Sequence, residues 1–223
     1  KTLSEFQEIL FPWVLSRVYD SKLGWSRDKT VRDTGPYVKG KYYGTHPAVR
    51  CWYSPKVMYW MTGNPDFWPE GKAAGKAPPK QPREGEIPDG GMIIKEMFTP
   101  PAARWEGKTD DEIAKSLYEP TAPGWTIMIK EKKGAPDGWW WGSVWKNQHY
   151  DTPESFHYPE GGFGMACQRC HSVAKEKGTF AALRNVKGFN GDPLKFFSDE
   201  TWRDIPRVLQ PFTFTHGTGL PEL

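Results

Sequence analysis

The sequence has little cysteine, no long apolar run and no block of one charge. No apolar segment approaches the ~20 residues that a membrane-spanning helix requires, so no transmembrane segment is expected in this chain. Its 30 Lys/Arg and 27 Asp/Glu are mixed along 223 positions, for a formal net charge of +3. Without a Lys/Arg run to neutralise a phosphate backbone, nucleic acid is not an expected partner. An acidic partner protein is compatible with the charge. There is no internal repeat. The hydrophobic share is low at 37%, but 12 Trp, 12 Phe and 9 Tyr compensate because each ring buries a large area. Such a chain is not a disordered one, and its length suits one large domain with embellishments. With 23 Gly and 21 Pro, turns and long surface loops are expected, and not a compact helical bundle. The chain begins at Lys1, not Met, which is compatible with a signal or anchor already removed.

The opening stretch spaces Leu3, Phe6, Leu10, Trp13, Val14 and Val18 as one face of an amphipathic helix, with Pro12 kinking it or starting a second piece. Residues 26–47 read as loop and AVRCWY (48–53) as a short strand. The next helix has Ser54 as N-cap, Pro55 at its first position and Gly63 as stop. Residues 64–87 are rich in Pro, Gly and Lys and read as an exposed loop insertion. A turn at 88–91 leads into the strand MIIKEMF (92–98), whose alternation puts Met92, Ile94, Glu96 and Phe98 on one face and Ile93, Lys95 and Met97 on the other. Thr109 with Glu112 forms a capping box at the start of a short helix, 108–119. Two further strands, 124–132 and 138–145, flank a hairpin loop at 134–138. Residues 146–163 read as a histidine-rich loop, a helix runs from the cysteine pair to about Lys177, and another covers 192–205. Strands and helices mix without regular alternation, so the expected class is α+β with an antiparallel sheet and packed helices.

Chemistry concentrates in GMACQRCHSVAKEK (164–177). The three cysteines are Cys51, Cys167 and Cys170. Structural zinc takes four ligands, usually as two pairs, and there is no second pair; Cys51 and His171 could complete a set only if the fold brought them together. A redox dithiol belongs at a strand-to-helix junction of a βαβ unit, whereas a glycine loop precedes this motif. Cys-x-x-Cys-His is the attachment signature of haem c. Two intervening residues let both thiols reach the vinyl groups on one edge of the macrocycle, and the adjacent histidine becomes the axial ligand. Cys167, Cys170 and His171 are therefore the candidate cofactor residues, with His171 the iron ligand and one covalent haem c per chain. Such attachment generally takes place outside the cytoplasmic membrane, so a periplasmic or exported location is expected. Cys51 is left as a buried strand thiol.

The sixth iron position decides between carrying electrons, binding a gas and doing chemistry, and electron carriers usually fill it with Met or His. Met165 is too close to the attachment site to cross to the other face, and Met92, Met97 and Met128 lie in strands where core packing accounts for them. Of the remaining histidines, His46 and His157 are the ones to test as distal ligands. Small c-type cytochromes are typically all-helical with an early motif. Here the motif comes late, after a strand-forming aromatic region, which argues against an ordinary carrier.

In that order of segments the sequence resembles the cytochrome P-460 family, which includes the cytochromes c′-beta. The resemblance is carried by HPAVRCWYSPKV (46–57), IPDGGMIIKEMF (87–98), GWTIMIKEKKGAPDGWWWGSVW (124–145) and MACQRCHSVAKEKGTF (165–180), and covers roughly residues 46–181. It divides the chain into a 1–45 extension, a 46–181 haem domain with the 64–87 insertion, and a 182–223 extension packed on the same domain. It implies an antiparallel sheet with the haem held against it, one axial histidine, an open distal face and a homodimer. It further implies oxidation of hydroxylamine or binding of nitric oxide, and a redox partner protein. Lys95 matches the lysine that hydroxylamine-oxidising members cross-link to haem; the other reading is a strand lysine reaching solvent or a carboxylate. A distal base would be a carboxylate or histidine, with Glu96, Glu131, Glu154 and Glu160 candidates by proximity in sequence. Trp139, Trp140, Trp141 and Trp145 read as core residues or as an apolar distal wall. An electron-transfer cytochrome closed by Met or His is the alternative.

Overall fold

The computed structural model describes residues 3–21, 23–34, 37–38, 41–42, 46, 48–67, 85–119, 122–133, 135, 137–144, 167–168, 171–172, 174 and 178–193. The first helix, α1, spans Leu3–Leu15 and holds Pro12 inside it. It is followed by the short α2, Val18–Ser21. The region expected to be loop contains four two-residue strands: β1 (Ser26–Arg27), β2 (Arg32–Asp33), β3 (Tyr37–Val38) and β4 (Lys41–Tyr42). The longer strands are β5 (Ala48–Tyr53), β6 (Met92–Met97), β7 (Gly124–Lys130) and β8 (Trp139–Val144). Helix α3 is Pro55–Thr62 and α4 is Asp110–Ser116.

All pairings are antiparallel. β5, β6, β7 and β8 are neighbours in chain order, β1 and β2 both pair with the outer edge of β5, and β3 pairs with β4. The result is the expected α+β arrangement of an antiparallel sheet with a few helices. Among the described residues, no helix is long and apolar enough to cross a membrane.

Period-two alternation gives the sheet two different faces. On one, Trp52, Ile94, Trp125, Ile127, Trp140 and Val144 pack with Leu10, Phe11 and Val14 of α1 and with Ile113 and Leu117. The ring of Phe6 meets Trp140 edge-on, with centroids 5.2 Å apart. Gly142 makes room for the Trp140 indole, since a Cβ there would lie 2.4 Å from it. The N-terminal residues thus form part of a core cluster. On the other face, Val49, Tyr53, Ile93, Met97, Met128, Trp139 and Trp141 pack with Val57, Met58, Trp60 and Met61 of α3 and with Val186.

The helix ends follow the sequence signals, with one difference. Gly63 stops α3 in the left-handed region at φ 71°, its N–H donating to the Tyr59 carbonyl at 2.8 Å. Thr109 and Glu112 close the capping box at α4. Ser54 sits at the N-cap of α3, but its hydroxyl does not bond the helix. It accepts the N–H of Met92 at 2.8 Å, and Ser54 N–H donates to the Met92 carbonyl at 2.9 Å. The start of α3 is thereby tied to the start of β6.

Candidate functional site

His171 lies against the face lined by Trp139 and Trp141. Ser172 N–H donates to the Gln168 carbonyl at 2.8 Å, a helical turn that brings Cys167 and His171, four residues apart, to one side of the segment. Cys167 is partly buried and packs against the cluster on the same sheet face. The His171 ring stands edge-on to Trp141 with centroids 4.9 Å apart and to Phe180 at 5.1 Å. Its Nδ1 is 2.8 Å from the Gly178 carbonyl oxygen. A ring nitrogen that meets a carbonyl carries the proton, so the lone pair is on Nε2. Gly178 holds that carbonyl in place from the left-handed region at φ 79°, where a side chain would be strained. Cys170 lies outside the described residues.

Burial and the nearby charge of Lys95 push the His171 pKa down to about 4, against the opposing effect of the Gly178 hydrogen bond. The imidazole is neutral near pH 7, as a metal ligand must be. His46 is the second histidine at this face: burial, then Lys95, then His171 lower its pKa well below the usual value. His157 lies outside the described residues. Haem c asks this segment for thiols on one side of a turn and a neutral imidazole with a free Nε2, and Cys167 and His171 fit it.

The strand alternation expected for 92–98 is present, and it separates Lys95 from Glu96. Lys95 pairs with Cys51 on one side and Thr126 on the other. Glu96 is 0% exposed on the opposite face and accepts hydrogen bonds from Arg17 Nε (2.8 Å), Arg50 Nε (2.9 Å) and Tyr19 Oη (3.0 Å). Tyr19 Oη in turn accepts from Trp125 Nε1 at 3.0 Å. Arg17 also pairs with Asp20 at 2.9 Å, and Arg50 with Asp110 at 3.5 Å. Committed to two guanidinium groups beneath α1, Glu96 is not a base for chemistry at His171. Glu131 lies just past the end of β7, where it accepts the N–H of Lys133. Glu154 and Glu160 are outside the described residues.

Trp139, Trp140 and Trp141 divide in the same way. Trp139 and Trp141 face His171, and Trp140 packs under α1. Asp137 accepts the Trp141 Nε1–H at 2.7 Å, fixing the ring on which the imidazole rests. Trp145 is outside the described residues. Cys51 is buried as expected; its thiol accepts from Arg32 Nη2 at 3.5 Å, and its backbone N–H donates to Asp28 at 3.0 Å. Asp28 also accepts from Arg32 Nε (2.9 Å) and Tyr53 Oη (2.8 Å).

Sequence reasoning did not single out Gly178 or Asp137. The glycine was visible seven residues after the histidine, but nothing in the sequence said that its carbonyl would meet the ring. Among the described residues, no group of three or more His, Cys, Asp and Glu side chains is gathered to hold a metal. No family model, curated protein or solved structure matches the chain.

Proposed function

We propose that the chain is a periplasmic monohaem c-type protein of cytochrome P-460 type, with His171 as proximal ligand and an open distal face that oxidises or binds hydroxylamine or nitric oxide. The observation that carries this reading is the His171–Gly178 hydrogen bond within a Cys-x-x-Cys-His sequence, because it presents Nε2 of a neutral imidazole from the turn that bears Cys167. When bound, haem c supplies iron that takes the ligand's lone pair and can accept electrons from it. The chain contributes anchoring through Cys167 and Cys170, orientation of the imidazole by Gly178, Trp141 and Phe180, and a sheet wall containing Lys95. Lys95 is the residue proposed to cross-link to the cofactor.

The test is expression with a haem c maturation system. A pyridine haemochrome spectrum of the thioether-linked type and rapid binding of carbon monoxide or nitric oxide by the reduced protein are expected. Failure to attach haem sinks the cofactor assignment; failure of attached haem to bind either gas sinks the open distal face.

A second reading, electron transfer, has a specific support in His46, whose titration feels both Lys95 and His171. If His46 closes the sixth position, the protein will give a low-spin bis-histidine spectrum and reject carbon monoxide, and His46→Ala will open the site.

A further inference from the structure

The imidazole of His171 rests on Trp141, and Trp141 is itself held by a carboxylate. Asp137 stands in the hairpin loop just before β8, and both of its oxygens meet N–H groups of that strand. Oδ1 accepts the backbone N–H of Trp139 at 3.1 Å, and Oδ2 accepts the Trp141 Nε1–H at 2.7 Å. The first bond, from two residues along the chain, closes an Asx-type turn. The second is not needed for the turn. Nor does a buried indole in this sheet require an acceptor. Trp52 and Trp140, both buried on the opposite face, have Nε1–H groups without a hydrogen-bond partner among the described residues. The carboxylate is given to the indole that meets the histidine.

That bond fixes a rotation. Trp141 is buried, and its ring plane stands at 68° to the imidazole with centroids 4.9 Å apart. Edge-on ring pairs depend on rotation, because the face of an aromatic ring is negative and its edge positive. With Trp141 pinned at Nε1, Phe180 alongside at 5.1 Å and the Gly178 carbonyl at Nδ1, the imidazole is held by three contacts. Of these, the Gly178 bond is the one that acts on the ligating nitrogen, since a partner at the other ring N–H raises the basicity of a metal-bound histidine.

We propose that Asp137 is a positioning residue of the proximal side: through Trp141 it keeps His171 aligned with the Gly178 carbonyl and so sets the strength of the iron–imidazole bond. The inference rests on the haem reading above. An imidazole that turns away from Gly178 is a weaker donor, and a weaker donor favours the ferrous over the ferric state.

The experiment uses the haem-bearing full chain as parent, Asp137→Asn, Trp141→Phe and the double variant. An asparagine oxygen can still accept the Trp139 N–H and keep the turn, but the charge is gone and the amide nitrogen cannot accept from the indole. NMR of nitrogen-labelled indoles in the reduced form under carbon monoxide, with Trp141→Phe identifying the resonance, should show the Trp141 indole proton moving upfield in Asp137→Asn. Resonance Raman of the reduced protein should show the iron–histidine stretch shifted down in both single variants, and the midpoint potential should rise in both. The double variant should shift no further than Trp141→Phe, since both changes act through one contact. A role in the turn alone would leave stretch and potential at their parent values in Asp137→Asn. An unmoved indole resonance, an unmoved stretch and potential, or additive shifts in the double variant each overturn the role of Asp137 while leaving the haem assignment standing. Trp141→Phe keeps a ring against His171, so a parent-like stretch and potential in it overturn the proposal even if Asp137→Asn does not fold. Absence of the haemochrome band from the parent overturns the proposed function, and this inference with it.

Discussion

Lys95 and Glu96 are consecutive residues of β6 that serve opposite faces of the sheet. Lys95 stands between Cys51 and Thr126 on the side of His171, while Glu96 accepts from Arg17 and Arg50 under the N-terminal helix. The two charges therefore do different work, and substitutions at them should separate cleanly.

Glu96→Gln keeps the shape but leaves Arg17 and Arg50, 8% and 1% exposed, facing an amide in place of their buried carboxylate. Removing one partner of a buried ionic network costs about 3–5 kcal/mol. Urea unfolding followed by tryptophan fluorescence should show a loss of that size; a loss below about 1 kcal/mol, the range of exposed ion pairs, would mean the network does not hold α1 to the sheet.

Lys95→Leu addresses the proposed cross-link. A strongly red-shifted, broadened Soret band is expected in the parent protein and an ordinary haem c band in the variant. Identical spectra would remove the cross-link and the main reason to expect hydroxylamine oxidation.

His171→Ala should abolish the proposed axial ligation, and survival of the parent spectrum would show that another group binds the iron. Gly178→Val is a gentler probe. The position has φ 79°, and a Cβ would lie 3.3 Å from Trp139 Nε1, so the new side chain is strained by about 1–2 kcal/mol and displaces the carbonyl that orients the imidazole. Resonance Raman should show an altered iron–histidine stretch with haem still attached.

Cys51 gives a pH prediction. Burial, then the Asp28 carboxylate, raise its thiol pKa from 9.0 to about 11, with Arg32 and Lys95 opposing. A folded-state pKa above the unfolded value means a contribution to stability that is present below about pH 9 and lost as pH rises toward 11. Unfolding midpoints should fall across that window, and Cys51→Ala should flatten the fall. If Cys167 and Cys170 carry the proposed thioethers, no thiol should react with iodoacetamide at pH 8 in the native protein and one should react in denaturant.

The long strands were legible because their signals are local. Apolar and aromatic runs bounded by turn residues place 48–53, 92–98, 124–132 and 138–145 close to their final bounds, and alternation within 92–98 puts Lys95 and Glu96 on opposite faces. The short strands in 26–47 were not legible. Two-residue pairings such as Arg32 with Val49 are set by the partner strand and carry no periodicity of their own. At the site, the identity of His171 could be read from the motif, but its hydrogen bond to Gly178 depends on a backbone path that composition does not reveal. Asp137 was hidden for another reason. Asp-Gly is an ordinary hairpin signal, and that one carboxylate oxygen reaches the Trp141 indole is a property of the folded hairpin.

The reciprocal bonds between Ser54 and Met92 have a consequence for how this chain can vary. Together with Lys56 Nζ donating to the Asp89 carbonyl at 2.9 Å, Gly90 N–H to the Lys130 carbonyl at 2.9 Å and Trp60 Nε1 to the Gly85 carbonyl at 3.2 Å, they tie α3 to the chain that enters β6, so the segment between them leaves and returns at neighbouring points. Lengthening a segment between fixed ends costs only about 0.6 kcal/mol per doubling. Changes of length between those points should therefore be tolerated only while Gly85 keeps its bond from Trp60 Nε1 and Ile87 stays buried in the cluster on the histidine face.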